Sequence, residues 1–455
     1  MIVMKFGGTS VESQEAIARV TAIVQAREHY RPVVVVSAMG KTTNKLLEAA
    51  REAATGHRDG ALALVDEMRG HHLTHGLSLA GAFAAELDRY IRAHFEWLDE
   101  LIKGLSVVGE LSPRSMDAVA SVGERLSSLI LSFAFRAAGM RAQHVDSRRV
   151  LFTDDAFTQA QPLFEETYMQ LRDTVRPAAQ QSVVVMGGFI GATLGGQTTT
   201  LGRGGSDFSA AIIGAGIDAD EIQIWTDVDG MLTADPRIIP GGHRVKSISF
   251  EEAAEMAYFG AKVLHPATLL PAIERNIPVL ILNSRRPDVE GTRITFHALP
   301  CRNPVKSISC KRNITILNIG STRMLLAHGF MRRIFEIFDR YRTSIDMVST
   351  SEVSVSLTLD NRENVDLICR ELREFSQVSM EDGHAIVCLV GEKIRHTPGI
   401  AGRAFQVLEK KNIRMISQGA SLLNLGFVVA EADLRETVAA LHAEFFSDLD
   451  PAVFD

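Results

Sequence analysis

Lys5 follows an apolar opening run, Met1-Ile2-Val3-Met4, and after Phe6 the chain breaks into Gly7-Gly8-Thr9-Ser10. A strand that delivers a lysine to a glycine turn outlines a phosphate site. The glycines let backbone N–H groups approach an anion, the hydroxyls donate, and a following helix offers its positive end. The same glycine pair also serves in ordinary tight turns, so this motif alone does not decide. A second cluster adds a charge of each sign: Thr198-Thr199-Thr200-Leu201 runs into Gly202-Arg203-Gly204-Gly205-Ser206-Asp207 and then an alanine-rich stretch. Arg203, stripped of cover by its glycine neighbours, can fork onto a carboxylate. Asp207 falls at the first turn of the expected helix, where capping is the plain alternative.

These groups need a scaffold. Val33-Val34-Val35-Val36 is a continuous apolar run of the kind buried on both faces of a sheet. Similar runs lie at 183–186, 222–225 and 278–282, with helical stretches at 14–28, 60–105, 117–138 and 208–214. The alternation predicts an α/β fold over 1–293, a mainly parallel sheet with helices on both faces. Residues 285–304, rich in Pro, Arg and Asn, read as a linker.

Beyond the linker the texture changes. Phe335-Glu336-Ile337-Phe338-Asp339-Arg340 recurs as Phe405-Gln406-Val407-Leu408-Glu409-Lys410, and a short strand is expected after each, at 345–349 and 413–417. Val353, Val355, Leu357 and Leu359 alternate as a half-buried strand should. Phe330, Ile334, Ile337, Phe338 and Tyr341 form a helical stripe that reads as core packing. A duplicated βαββαβ unit fits two ferredoxin-like modules, at 308–383 and 384–455.

Composition excludes several classes. The 455 residues are 46% hydrophobic and carry a net charge of −7, which leaves no footprint for nucleic acid or an anionic membrane. Cys301, Cys310, Cys369 and Cys388 match no metal spacing and read as reduced thiols. With no cleavable leader and only strand-sized apolar runs, a cytoplasmic protein is expected. Gly40-Lys41-Thr42 is not a phosphate-binding P-loop, because Val35 stands where the motif needs glycine. No GxGxxG supports a nicotinamide enzyme. His71, His72 and His75 have zinc-like spacing without a partner ligand, so a solvated helix face is the expectation and no metal site is assigned.

The sequence resembles the aspartate kinases. The resemblance rests on Lys5 to Val11, the run Leu201 to Asp207, Trp225-Thr226-Asp227-Val228-Asp229-Gly230, Phe259-Gly260-Ala261-Lys262-Val263-Leu264-His265-Pro266, and Thr350-Ser351-Glu352-Val353-Ser354-Val355-Ser356-Leu357. These motifs lie in the family's order and cover essentially the whole chain. The single-function, lysine-sensitive type is the nearest in pattern. The resemblance implies an amino-acid kinase fold followed by two ACT domains, the first of them effector-binding. It implies ATP and L-aspartate as substrates, Mg²⁺ carried with the nucleotide, L-lysine as effector, and a homodimer or higher homo-oligomer through the ACT domains.

The resemblance also assigns roles. Lys5 contacts the transferring phosphate within the loop Gly7, Gly8, Thr9 and Ser10, and Asp207 organises the phosphate-binding cations. Arg203 and Glu124 hold the amino acid, an arrangement suited to an α-carboxylate and an α-ammonium, with Ser37 and Thr43 on the substrate side. Thr226, Asp227, Leu232, Arg237, Lys262 and Val263 fall on nucleotide positions, although Leu232 replaces an aromatic residue of a related pattern. Met324, Ala327, Phe330, Met331, Ser344, Asp346 and Glu352 fall on effector positions. Asp346 and Glu352 place negative charge where a lysine ammonium could be met, whereas Ala327 replaces a hydroxyl residue. Two alternatives stand beside this reading: a kinase of the same fold acting on glutamate or acetylglutamate, and a non-catalytic amino-acid sensor. Gly202 to Asp207 and the doubled module count against the first, and the intact charged residues count against the second.

Overall fold

The computed structural model describes residues 1–260, 266–321 and 328–455. The chain divides into two compact units, Met1–Gly230 with Leu264–Ala298, and Met231–Val263 with Leu299–Asp455. The second unit thus takes residues 231–263 out of the expected 1–293 domain.

In the first unit, strands β1 (Ile2–Phe6), β2 (Pro32–Val36), β3 (Ala142–His144), β5 (Val183–Gly187), β8 (Glu221–Thr226), β10 (Val279–Asn283) and β11 (Thr292–Thr295) lie in the order β3-β5-β2-β1-β8-β10-β11. All neighbours are parallel except β10 and β11. The valine run of β2 is buried at every position, as is β5. Helices on the two faces supply what those strands require. A small sheet of β4 (Phe152–Thr153), β6 (Ile190–Thr193) and β7 (Thr198–Thr200) sits in the same unit.

The register matters most for function. Lys5 lies beside Val35 and Ile224, and Phe6 beside Val36 and Trp225, so parallel strands end together. The turns after β1, β2, β5 and β8 therefore share the carboxyl edge, where open α/β sheets place ligands.

Two expected helical stretches each contain two helices. The stretch 60–105 is two helices, Arg58–Leu77 and Ala84–Val108, separated near Gly81 at φ 51°. Pro113–Ala120 and Val122–Ala137 meet at the buried Ser121, where 117–138 was expected to be continuous. The stretch Pro113–Ala137 is apolar and long enough to cross a membrane by composition, yet 89% of its most apolar window is packed inside the protein, which marks a core helix. His72 departs from the expected solvated face: it is buried, its Nδ1 lies 2.7 Å from the Met68 carbonyl, and burial pushes its imidazole down to about 4.

The second unit holds β9 (Ser247–Ser249), the helix Phe250–Tyr258, and an antiparallel sheet. Its strands are β12 (Ser307–Gly320), β13 (Met347–Thr350), β14 (Ser354–Leu359), β15 (Gln377–Val390), β16 (Met415–Gln418) and β17 (Asn424–Ala430), in the order β13-β14-β12-β15-β17-β16. The two copies of the repeat are nested, not sequential. β12 and β15 are both 14 residues long, with register shifts near Ile314. Thr315–Gly320 pairs with β14 in the first module, whereas Ser307–Lys311 pairs with the part of β15 that borders β17 in the second. A boundary between 383 and 384 cuts through this sharing. The expected stripe is core: Phe330, Ile334, Ile337 and Phe338 pack with Leu317, Val355, Leu357 and Ile368, and Tyr341 lies at the margin.

Candidate active site

A cavity of about 310 Å³ opens at the carboxyl edge of the first unit, lined by Lys5, Gly8, Ser37, Thr43, Glu124, Phe189, Gly204 and Asp207 among others. Residues far apart in sequence meet because each lies at or just past the end of a strand or near the start of a helix that begins there. The loop Gly8–Ser10 is a tight 3-10 turn, and Ser37 N–H bonds to the Phe6 carbonyl at 3.1 Å. Gly8 is required by close approach: a Cβ there would lie 2.8 Å from the Ala38 carbonyl oxygen.

Lys5 Nζ lies 2.7 Å from Asp207 Oδ1, with side chains 12% and 15% exposed, so the pair faces the cavity with little water around it. Asp207 sits in the first turn of the Gly205–Gly216 helix, whose N-cap Gly204 adopts φ 73°. That left-handed backbone suits glycine and turns the chain from the Arg203 loop into the helix. Arg203 stands exposed on the loop between Gly202 and Gly204.

Glu124 lies at the first turn of Val122–Ala137 and is 3% exposed. Its Oε1 accepts the Ala38 N–H at 3.1 Å, while buried Oε2 has no hydrogen-bond partner. Burial pushes the carboxyl up to about 8, against the Ala38 hydrogen bond that favours the charged form. An unpartnered acceptor on a cavity wall is the complement of a ligand cation.

The remaining expected residues are distributed as follows. Gly7 donates its N–H to the Trp225 carbonyl at 3.3 Å, and Thr9 is exposed. Ser10 is buried with its hydroxyl 2.9 Å from Ser284 Oγ, which in turn bonds to the Thr226 carbonyl, so Ser10 braces the loop. Thr226 ends β8 and Asp227 follows it, exposed. Leu232 and Arg237 belong to the second unit. Arg237 is clamped on Asp235 through Nε and an NH2 at 3.0 and 2.6 Å. Lys262, Val263, Met324 and Ala327 lie outside the described residues. Phe330 is core, Met331 is half-buried, and Ser344 and Glu352 are exposed, with Ser344 and Asp346 just ahead of β13. Asp346 is sealed: its side chain is 2% exposed and Lys311 Nζ lies 2.5 Å away, with Asp360 at 2.7 Å on the same ammonium.

Sequence reasoning missed Phe189, which lines the cavity at φ 66°, a left-handed backbone uncommon for a bulky residue. The signal was Gly187-Gly188 just past a buried valine strand. It also missed the internal ammonium on Asp346, whose partner lies 35 residues earlier.

A lysine–aspartate pair, a glycine turn and a buried carboxyl thus share one cavity at the carboxyl edge. The model for the amino acid kinase family matches residues 1–283, and that for an ACT domain matches 387–445. Aspartokinase 2, chloroplastic, of Arabidopsis thaliana is 39% identical, covering 99% of this chain and 85% of that protein. Lysine-sensitive aspartokinase 3 of Escherichia coli (strain K12) is 37% identical, covering 98% and 99%. Among solved structures, E. coli aspartokinase III in complex with aspartate and ADP, called the R-state, superposes with a TM-score of 0.85 at 36% identity over 98% of this chain and 100% of that one. The same enzyme in complex with lysine and aspartate, the T-state, also gives 0.85, at 36% identity and covering 98% and 99%. The chain belongs to the aspartokinase family. It is an ATP-dependent kinase with an amino-acid kinase fold and C-terminal ACT domains.

Proposed function

We propose that this kinase transfers the γ-phosphoryl group of ATP to the β-carboxylate of L-aspartate, giving 4-phospho-L-aspartate, and that L-lysine inhibits it. The observation that carries the reading is the single cavity joining the Lys5–Asp207 pair to the Glu124 carboxyl, whose Oε2 has no hydrogen-bond partner. Phosphoryl transfer asks the protein mainly for position and positive charge. A carboxylate acceptor is already ionised at neutral pH, so no general base is needed. Lys5 neutralises charge on the transferring group, Gly8 and Thr9 in the turn after Gly7 offer N–H and hydroxyl donors, and Asp207 orients Lys5. Glu124 takes the α-ammonium, Arg203 the α-carboxylate, and Ser37 and Thr43 flank the acceptor. Thr226, Asp227, Leu232, Arg237, Lys262 and Val263 serve the nucleotide.

Among the described residues no cluster of three or more His, Cys, Asp or Glu could hold a metal. Mg²⁺ would come with the nucleotide, and Asp207 would be the carboxylate that helps to hold it. The ion supplies charge neutralisation across the phosphates. We further propose a cytoplasmic homodimer or higher homo-oligomer formed through the ACT modules. The sheet of the second unit ends in edge strands β13 and β16, which carry exposed Val348 and Ile416. Lysine would act by binding a low-activity arrangement better than the active one.

Arg203→Ala tests the substrate assignment. It should raise the KM for aspartate far more than that for ATP, and equal losses of both would contradict it. A coupled ADP-release assay with aspartate, glutamate or acetylglutamate separates this reading from other kinases of the fold. No release with any of them would favour a sensor.

A further inference from the structure

We propose that Asp117 is a positioning residue for amino-acid recognition: one buried carboxylate fixes the root of the Arg203 loop to the segment leading into Glu124, and so sets the spacing between the two groups that grip the amino acid. The inference rests on the assignment of Arg203 and Glu124 made above.

Asp117 is 1% exposed on the helix Pro113–Ala120, which passes through buried Ser121 into the helix bearing Glu124. Its carboxylate gathers three donors from two other segments. The Thr158 N–H meets Oδ2 at 2.9 Å, the Thr200 N–H meets Oδ2 at 3.0 Å, and the Thr200 hydroxyl meets Oδ1 at 2.7 Å. Thr200 is the last residue of β7, three positions before Arg203.

The second segment bears on the same loop. Thr158 holds φ 73°, a left-handed conformation costly for a β-branched residue unless its surroundings impose it. Its carbonyl oxygen lies where a Cβ on Gly202 would come within 3.2 Å, so this turn packs directly under the Arg203 loop. Ala160 N–H bonds to the Thr200 carbonyl at 3.0 Å, and Leu201 N–H bonds to the carbonyl of the cavity residue Phe189 at 2.9 Å. The loop root is thus held from both sides, and Asp117 is its tie to the Glu124 segment. A buried carboxylate is an expensive way to fill space, and hydrogen bonds to it explain its presence.

The test uses the full-length enzyme, with aspartate and ATP varied separately and thermal melting as a check on folding. A shift of about 1 Å at a binding group can cost on the order of 100-fold, so Asp117→Ala should raise the KM for aspartate by about tenfold or more and that for ATP by less than about twofold. Asp117→Asn should restore recognition. An amide oxygen can accept both N–H groups while its NH2 donates to the Thr200 hydroxyl, which accepts as readily as it donates. If the alanine variant does not fold, Thr200→Val removes one of the three bonds and should give an intermediate rise in the aspartate KM alone. A folded Asp117→Ala or Thr200→Val enzyme with wild-type aspartate KM, or equal rises in both KM values, overturns the proposal. Arg203→Ala run in parallel separates the two failures. If it also leaves the aspartate KM unchanged, the assignment underneath has failed; if it raises that KM while Asp117→Ala does not, only the positioning role has.

Discussion

If Glu124 takes the α-ammonium as proposed, aspartate binding should be proton-linked. Its carboxyl is buried, pushed up to about 8, with one oxygen on the Ala38 N–H and the other free of protein partners. At pH 7 a group with that value is about nine-tenths protonated, and ionising it costs about 1.4 kcal/mol, a factor of ten in affinity. An incoming α-ammonium requires the carboxylate and lowers its pKa, so a proton leaves as the ligand binds. The sign follows: affinity improves as pH rises and levels off above about 8, with a limiting slope of about one decade per pH unit below that value. Lys5 and Asp207 line the same cavity, as a pair whose charges offset each other locally. Titration calorimetry with aspartate at pH 7, in two buffers of different ionisation enthalpy, reads the released proton directly. Release of about 0.9 proton per site is expected in wild type, from a group nine-tenths protonated at pH 7. Glu124→Gln should release none and should bind aspartate with a pH-independent, weaker affinity. Wild-type enzyme that binds aspartate without proton release, or with a flat affinity between pH 6.5 and about 8, would refute the link between burial and recognition.

Lys5→Met keeps the stem and removes the charge facing the phosphate path, so turnover should fall by roughly 10²–10³ with the melting temperature little changed; near-native turnover in a coupled assay would remove Lys5 from the mechanism. Lys306→Met should destabilise the second unit by about 3–5 kcal/mol, because it strands the buried Glu252 carboxylate that Lys306 meets at 2.9 Å. Denaturant unfolding measures this, and adding Glu252→Gln should recover much of the loss. Asp346→Ala should relieve lysine inhibition while aspartate turnover is kept, but the sealed Lys311–Asp346 contact means that Lys311→Met should also change the lysine titration. Unchanged inhibition in both variants would place the effector elsewhere.

The parts of this fold that were legible in sequence are those set by local pattern. A four-valine run has one comfortable home, a strand covered on both faces, and the stripe from Phe330 to Phe338 can only be a helix face turned to a core. Lys5 and Asp207 stood out because each belongs to a glycine-rich motif at a strand end or helix start, and such positions of a parallel sheet are drawn to one edge, whereas Glu124 was singled out through the family resemblance alone. What escaped depends on partners distant in the chain. The nesting of the two modules is decided by which half of β12 pairs with which half of β15, a long-range pairing that no local pattern specifies. Asp117 looks like any helical acid until Thr158 and Thr200 arrive from 41 and 83 residues away. Asp346 looked available to a ligand, but its side chain is buried and its Oδ1 is met by Lys311, while Oδ2 has no hydrogen-bond partner.

The central claim is that the cavity built from Lys5, Glu124 and Asp207 phosphorylates the side-chain carboxylate of aspartate. The most direct test mixes the full-length enzyme with ATP, Mg²⁺ and hydroxylamine, which traps an acyl phosphate as a stable hydroxamate. The account predicts aspartyl hydroxamate formed in step with ADP from L-aspartate, and none from glutamate or acetylglutamate. Hydroxamate from either of those acids but not from aspartate, or ADP release from aspartate without any hydroxamate, would contradict it.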